Sequence, residues 1–264
     1  MSDRLTALLD DAGGPPRLLL DAAAYAQHVI LQDRAVPWHD ATAFSNHLSS
    51  IQSLLGSEIV LIRLDDMLAE ELETNSVLVE AMSAKTRKGF ALRALLRDEA
   101  LRAAVRALVH TATETQRSPV IIQLPSPKAL LLSADAAADP DGGHEIDDDD
   151  VENAAVYCAD WIRGFASVGI GGIIFDERTH RSPVEAYQPI ANTTGHYGVL
   201  LGHRHDEVLT FDHGAEVPVA APDVFTGAEA VGHVRVLFAE IPAETVPETV
   251  LERLTEMRDG LHVS

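Results

Sequence analysis

The chain has 264 residues, 46% of them hydrophobic and 5% aromatic, enough for a sizeable core built mainly from Leu, Val, Ile and Ala. Its net charge of −21 disfavours nucleic acid and anionic membranes as partners, although a local cationic cluster would still admit an anionic small molecule. Cys158 is the single cysteine, the acidic N-terminus lacks the pattern of a signal peptide, and no apolar run approaches the roughly 20 residues of a membrane span, so the expected location is cytoplasmic.

Residues 1–14 read as a short helix closed by Gly13 and Gly14, and 18–20 as a brief strand. Asp40 occupies an N-cap position ahead of a helical stripe of Phe44, Leu48, Ile51 and Leu55, and Gly56 fits the residue that closes that helix. Residues 58–64 read as a buried strand, ended by Asp65 and Asp66 before a return to helix. Residues 75–117 read as helical throughout, with a break at Gly89. Residues 120–124 form the next strand, after which Ser126 caps a short helix with Pro127 at its first position.

The acidic stretch 135–150 reads as an exposed loop whose last aspartates sit favourably at the start of a helix over 151–167. Residues 170–175 are a strand leading into Asp176 and Glu177. A helix opening at Ser182 and Pro183 is disturbed by Pro189. Residues 197–201 then read as a strand running into Gly202, His203, Arg204 and His205, and 208–211 as another, followed by Asp212, His213 and Gly214. Residues 215–232 carry no assignable pattern. Residues 234–241 are the last strong strand, and Thr245 with Glu248 fits a capping box for a final helix stopped by Gly260.

Short buried strands alternating with helices imply a parallel sheet in a single α/β domain over 1–264. The expected architecture is a TIM (β/α)8-type barrel with one strand degenerate or missing, an N-terminal helical extension (about 1–40) and the acidic loop. An open doubly wound sheet is the competing arrangement, but neither GxGxxG nor GxxxxGK[ST] follows a strand.

Barrel active sites are built at the C-terminal ends of strands, which selects Asp65, Asp66, Gln123, Ser126, Asp176, Glu177, His203, Arg204, His205, Asp212, His213 and Glu240. Asp176 and Glu177 are adjacent on a strand end and point to opposite faces, so at most one faces the mouth as base or metal ligand. The plainer alternative is a salt bridge to Arg178 or Arg181. Asp65 either meets a substrate NH or a developing cation, or joins Asp66 in capping the next helix.

His203 and His205 share a strand face and could hold one zinc, iron or manganese ion, with Asp176 or Glu177 and His180 completing the ligand set. Equally, one of the pair could move protons without a metal, or both could lie in an exposed polar loop. Turn chemistry with Gly214 accounts for Asp212 and His213 as well as catalysis does. His39 and His47 read as packing or surface residues and Cys158 as packing, and Ser126 lacks the GxSxG elbow of a hydrolase nucleophile.

Four segments, LLGSEIVLIRLDD, VIIQLPSPKALLL, YCADWIRGFASVGIGGIIFDE and VRVLFAEIPAETVPETVLERL, together resemble the superfamily of uroporphyrinogen decarboxylase and the C-terminal domain of cobalamin-independent methionine synthase. The resemblance covers most of residues 40–260 and implies a TIM barrel, with homodimerisation as an option. It also aligns Asp65 with the aspartate that contacts pyrrole nitrogens in the decarboxylases. The methyltransferases hold zinc with one histidine and two cysteines, which a chain with one cysteine does not match. The decarboxylases' paired N-terminal arginines have no comparable arrangement in Arg17 and Arg34.

The expected function is a decarboxylase-like lyase acting on a small molecule without an organic cofactor. Asp65, Asp176, Glu177 and His203 are the expected catalytic groups, and Gln123, Ser126, Arg204 and Glu240 the expected substrate contacts. A metal-dependent hydrolase or transferase using His203 and His205, and a non-catalytic ligand-binding relative, are the alternatives.

Overall fold

A computed structural model describes residues 2–10, 17–226 and 234–260, so Gly13, Gly14 and part of 215–232 lie outside the described residues. Helix α1 (Ser2–Asp10) precedes strand β1 (Arg17–Asp21), α2 (Ala23–Val29) and α3 (Ala41–Leu55). Strand β2 (Val60–Arg63) runs straight into α4 (Leu64–Thr74), followed by α5 (Ser76–Met82), α6 (Phe90–Arg97) and α7 (Glu99–Thr115). Then come β3 (Val120–Pro125), α8 (Pro127–Ala138), α9 (Asp148–Arg163), β4 (Gly172–Asp176) and α10 (Gln188–Tyr197). The chain continues through β5 (Leu200–Arg204), β6 (Val208–Phe211), β7 (Glu216–Pro218), β8 (Val236–Glu240) and α11 (Pro247–Gly260).

Local chemistry sets several helix ends. Asp40 accepts hydrogen bonds from the backbone of Thr42 and Ala43 at the start of α3, and Gly56, at φ 62°, closes it in the left-handed region. Ser126 caps α8 through the Ala129 amide, with Pro127 in its first turn. The stretch expected to be helical over 75–117 with a break at Gly89 breaks there and once more at Asp98, giving three helices. Asn75 and Asp98 each accept a backbone N–H of the helix that follows, and Gly89 introduces α6 at φ 71°.

The capping box also moves. Asp147 and Asp150 form one at the start of α9, so the acidic run extends that helix to Asp148. The expected box at Thr245 is not formed: α11 begins at Pro247, whose fixed φ suits a first helical turn, and the Thr245 hydroxyl has no hydrogen-bond partner among the described residues. Gly198, at φ 64°, ends α10 late, so Tyr197 belongs to the helix and β5 is displaced to include His203 and Arg204.

The molecule is mixed α/β with a largely parallel sheet. Strands run in the order β2-β3-β4-β5-β6-β7, parallel from β2 to β5, and β1 pairs parallel with β8. The expectation of an all-parallel sheet fails at β6 and β7, which are antiparallel. The link between β5 and β6 is too short for a crossover, so the chain turns back as a hairpin.

At the β1/β2 seam the Glu58 amide donates to the Leu18 carbonyl at 3.0 Å and the Leu20 amide to the Ser57 hydroxyl at 3.1 Å. At the β7/β8 seam Val219 bridges to Phe238, and the Ala220 amide donates to the Phe238 carbonyl at 2.8 Å. One apolar core takes Leu19 from β1, Ile121 from β3, Ile174 from β4, Leu209 and Phe211 from β6, Val217 from β7 and Phe238 from β8, with Leu5 and Leu8 of α1 packed on it. A larger core lies against the helices α3–α10, and a third joins β1 and β8 to α2 and α11. The brief strand expected at 18–20 is present as β1, a core strand within the stretch expected as an N-terminal helical extension.

Candidate functional site

Polar side chains gather where the strands end. The register sets Asp21 beside Glu240, Arg63 beside Gln123, and Asp176 beside Arg204. These residues close a hydrogen-bonded ring. Arg63 Nη1 donates to Asp21 Oδ2 at 2.9 Å, and its Nε donates to both oxygens of Asp65 at 2.9 and 3.0 Å. Gln123 Nε2 donates to Asp65 Oδ2 at 2.9 Å and reaches Asp176 Oδ2 at 3.5 Å. Arg178 forks onto Asp176, at 3.0 Å from Nε and 2.7 Å from Nη2, and donates to Glu240 Oε2 at 3.0 Å through Nη1. Arg204 completes the circuit: Nη1 donates to Asp21 Oδ2 at 2.8 Å and to Gln123 Oε1 at 3.0 Å, while Nη2 donates to Glu240.

The ring is graded in depth. Asp21, Gln123 and Arg204 are buried, whereas Arg178 and Glu240 are partly open to solvent. Asp66 adds a half-exposed carboxylate, 3.1 Å from Arg63 Nη2. Asp21, Asp65, Asp66, Asp176 and Glu240 therefore outnumber Arg63, Arg178 and Arg204, leaving a carboxylate surplus. Burial and then the adjacent Asp65 charge push Asp66 up to about 7, against the pull of Arg63. Burial would also raise Asp176, but the Arg178 hydrogen bonds hold it below the usual carboxylate range. Asp66 can therefore carry a proton near neutrality beside an ionised Asp176, a division of labour suited to acid–base chemistry.

Glu177 and His203 are on the opposite face. Phe175 and His203 are register partners, one residue out of step with Asp176 and Arg204. Buried Glu177 accepts from the Tyr187 hydroxyl and from the Ser182 amide at 2.9 Å, and His203 Nδ1 stands 3.7 Å away. The His203 ring meets Tyr187 edge-on at 4.5 Å. His205, just past β5, has its pKa lowered by burial and then by Arg181, and its Nδ1 has no partner among the described residues. Glu177, His203 and His205 are the residues that could bring ligand atoms to a metal, yet no group of three or more His, Cys, Asp or Glu is arranged to hold one among the described residues.

The sequence-selected residues thus divide. Asp65, Asp66, Gln123, Asp176, Arg204 and Glu240 converge; Glu177, His203 and His205 form a separate set. Ser126 spends its hydroxyl on the α8 cap and on the His180 carbonyl. Asp212 accepts from the Leu201 amide and His213 lies near Asp10, away from both sets. Exposed His39 pairs with the buried Glu71, and His47 is a buried wall residue.

Sequence reasoning missed Asp21 and Arg63, and offered Arg178 only as a salt-bridge partner of Asp176 or Glu177, which for Asp176 it is. The run RLLLD ends in a carboxylate as the other strands do, but its brevity hid the signal. Arg63 sits inside an apolar stretch, and only the ring explains it. No protein-family model, curated protein or solved structure matches this chain.

Proposed function

We propose that the chain is a decarboxylase-like lyase built on a (β/α)8-type barrel of the uroporphyrinogen decarboxylase and methionine synthase superfamily, with one β/α unit replaced by the β5–β6–β7 hairpin. Hydrogen bonds at both sheet seams and a single core fed from β1, β3, β4, β6, β7 and β8 support the barrel. The polar ring then occupies the C-terminal mouth, where barrels of this kind carry their chemistry.

The ring's carboxylate surplus favours positive charge, so the substrate in this reading is a small carboxylic acid whose framework contains nitrogen. Arg178, at the open rim, receives the carboxylate. Asp65 and Asp176 stabilise positive charge on the nitrogen. The bond from carbon to the carboxylate breaks, its electron pair moves into a conjugated C=N+ bond of the substrate to leave a neutral enamine, and carbon dioxide leaves. Asp66 delivers its proton to the carbon. Arg204, held from below, keeps Asp21, Gln123 and Glu240 in register. Glu177 and His203 brace the 182–187 segment from the other face.

The observation that carries this reading is a closed hydrogen-bonded ring across six strand ends, with the Asp66 carboxyl at its edge. The experiment is carbon dioxide release from a panel of nitrogen-containing carboxylic acids, wild type beside Asp66→Asn. Release by the wild type that drops at least about tenfold in the variant sustains it. Release unaffected by Asp66→Asn removes Asp66 from the mechanism, and no release from any compound that binds turns the reading to a binding protein.

That second reading has its own support, since each of the three guanidiniums is already paired within the protein. A metal-dependent reading rests on His203 and His205 near Glu177. Metal analysis of untagged protein beside the His203→Ala/His205→Ala variant tests it, and near-stoichiometric zinc, iron or manganese lost in the variant would favour it.

A further inference from the structure

A cavity of about 290 Å³ opens where β1 and β2 part, bounded by α2, α3 and α4. Ser57 lines it and accepts the Leu20 amide at 3.1 Å through its hydroxyl. Trp38, Phe44, Leu48, Ile51 and Leu55 form its apolar walls. Burial lowers the pKa of His47, so that part of the wall is a neutral imidazole, and its Nδ1 has no protein partner among the described residues.

The cavity also touches Arg63, Asp66, Glu70 and Glu73, and so reaches the polar ring. Arg63 is already committed to Asp21, Asp65 and Asp66. Glu70 accepts the Trp38 indole N–H at 3.2 Å, and Glu73 is exposed with no cation beside it among the described residues. An apolar void with a carboxylate-rich end has one complementary ligand chemistry. An anionic head group would meet like charge, and a purely apolar ligand would leave the carboxylates unused.

We propose that this cavity binds an amine, its medium-chain or indole-sized apolar body against Trp38, Phe44 and Leu48 and its ammonium among Asp66, Glu70 and Glu73. The inference goes beyond the lyase reading, whose nitrogen lies at Asp65 and Asp176, and meets that reading only in sharing Asp66 with the ring.

The test is isothermal titration of the whole chain with octylamine, tryptamine, 1-octanol, octanoate and ethylamine at one ionic strength. Amines with an apolar body should bind saturably and at least about tenfold tighter than the alcohol or the carboxylate of equal length. Glu73→Gln, an exposed change that leaves the fold intact, should weaken the long amines while leaving octanol unchanged. Ala23→Leu, which narrows the cavity, should weaken all the long ligands.

Equal affinity for octylamine and ethylamine would mean surface attraction to an acidic protein and overturn the proposal. So would a preference for octanoate, or indifference to both variants. Amine binding without carbon dioxide release from any amino acid tested leaves the cavity assignment standing and sinks the lyase reading; release without cavity binding does the reverse.

Discussion

Arg204 lies over the ring of Phe238, its guanidinium carbon 4.7 Å from the ring centroid, so a fully buried cation rests on the interior core and faces carboxylates above it. Its Nη1 meets Asp21, itself buried, and the pair joins β5 to β1. Arg204→Leu should cost about 3 kcal/mol, because the buried Asp21 carboxylate loses one of its two cations and keeps only Arg63. Adding Asp21→Asn should recover part of that loss. Urea unfolding of the two single variants and the double variant reads the coupling, and strictly additive losses would contradict it.

Asp66 makes stability depend on pH in a stated direction. Its pKa rises from 3.8 to about 7 on folding, so the folded state holds the proton more tightly than the unfolded chain. The contribution is fully present below about pH 4 and is lost as pH rises through about 7. Solvent screening trims it, because half of the side chain is exposed. Asp66→Asn should flatten the profile across this window in denaturant titrations, and parallel profiles for the two proteins would count against it.

Tyr187 is the principal partner of a buried acid. Removing its hydroxyl in Tyr187→Phe leaves Glu177 with the Ser182 amide and a distant His203, which should cost about 1–3 kcal/mol. Thermal unfolding measures the loss. The double variant Tyr187→Phe/Glu177→Gln should be less destabilised than Tyr187→Phe alone, since no buried charge is left underserved.

Cys158 should be inert in the native protein. It lies buried in α9, and burial pushes its thiol up to about 12, so little thiolate exists near neutrality. A thiol-specific reagent should label it only as fast as the chain unfolds. Rapid labelling of the folded protein would show that the helix opens locally.

Much of the fold was legible where a residue type acts locally. Asp40 and Gly56 fix the ends of α3, and Ser126 with Pro127 opens α8, because a cap needs only its own neighbours. The strand cores followed from unbroken aliphatic runs. The hairpin at β6 and β7 was hidden because its direction depends on a short link rather than on strand composition.

The site was half visible for a similar reason. Asp65, Asp176 and Glu240 lie at or just past recognisable strand ends, whereas the ion pairs that bring Asp21 into the ring with Arg63 and Arg204 span 42 or more positions. Period-two alternation separated Asp176 from Glu177, but it could not say which of them faced Arg204.

The pairing of β1 with β8 joins segments near opposite ends of the described chain, and Arg204 and Asp21 are 183 positions apart. Contacts of such long range demand a large loop-closure entropy and tend to form late in folding. The ring therefore cannot be assembled in a partly folded molecule. A folding intermediate would carry separated acids and arginines, unable to hold a ligand in register, so a ligand would recognise only molecules that had finished folding.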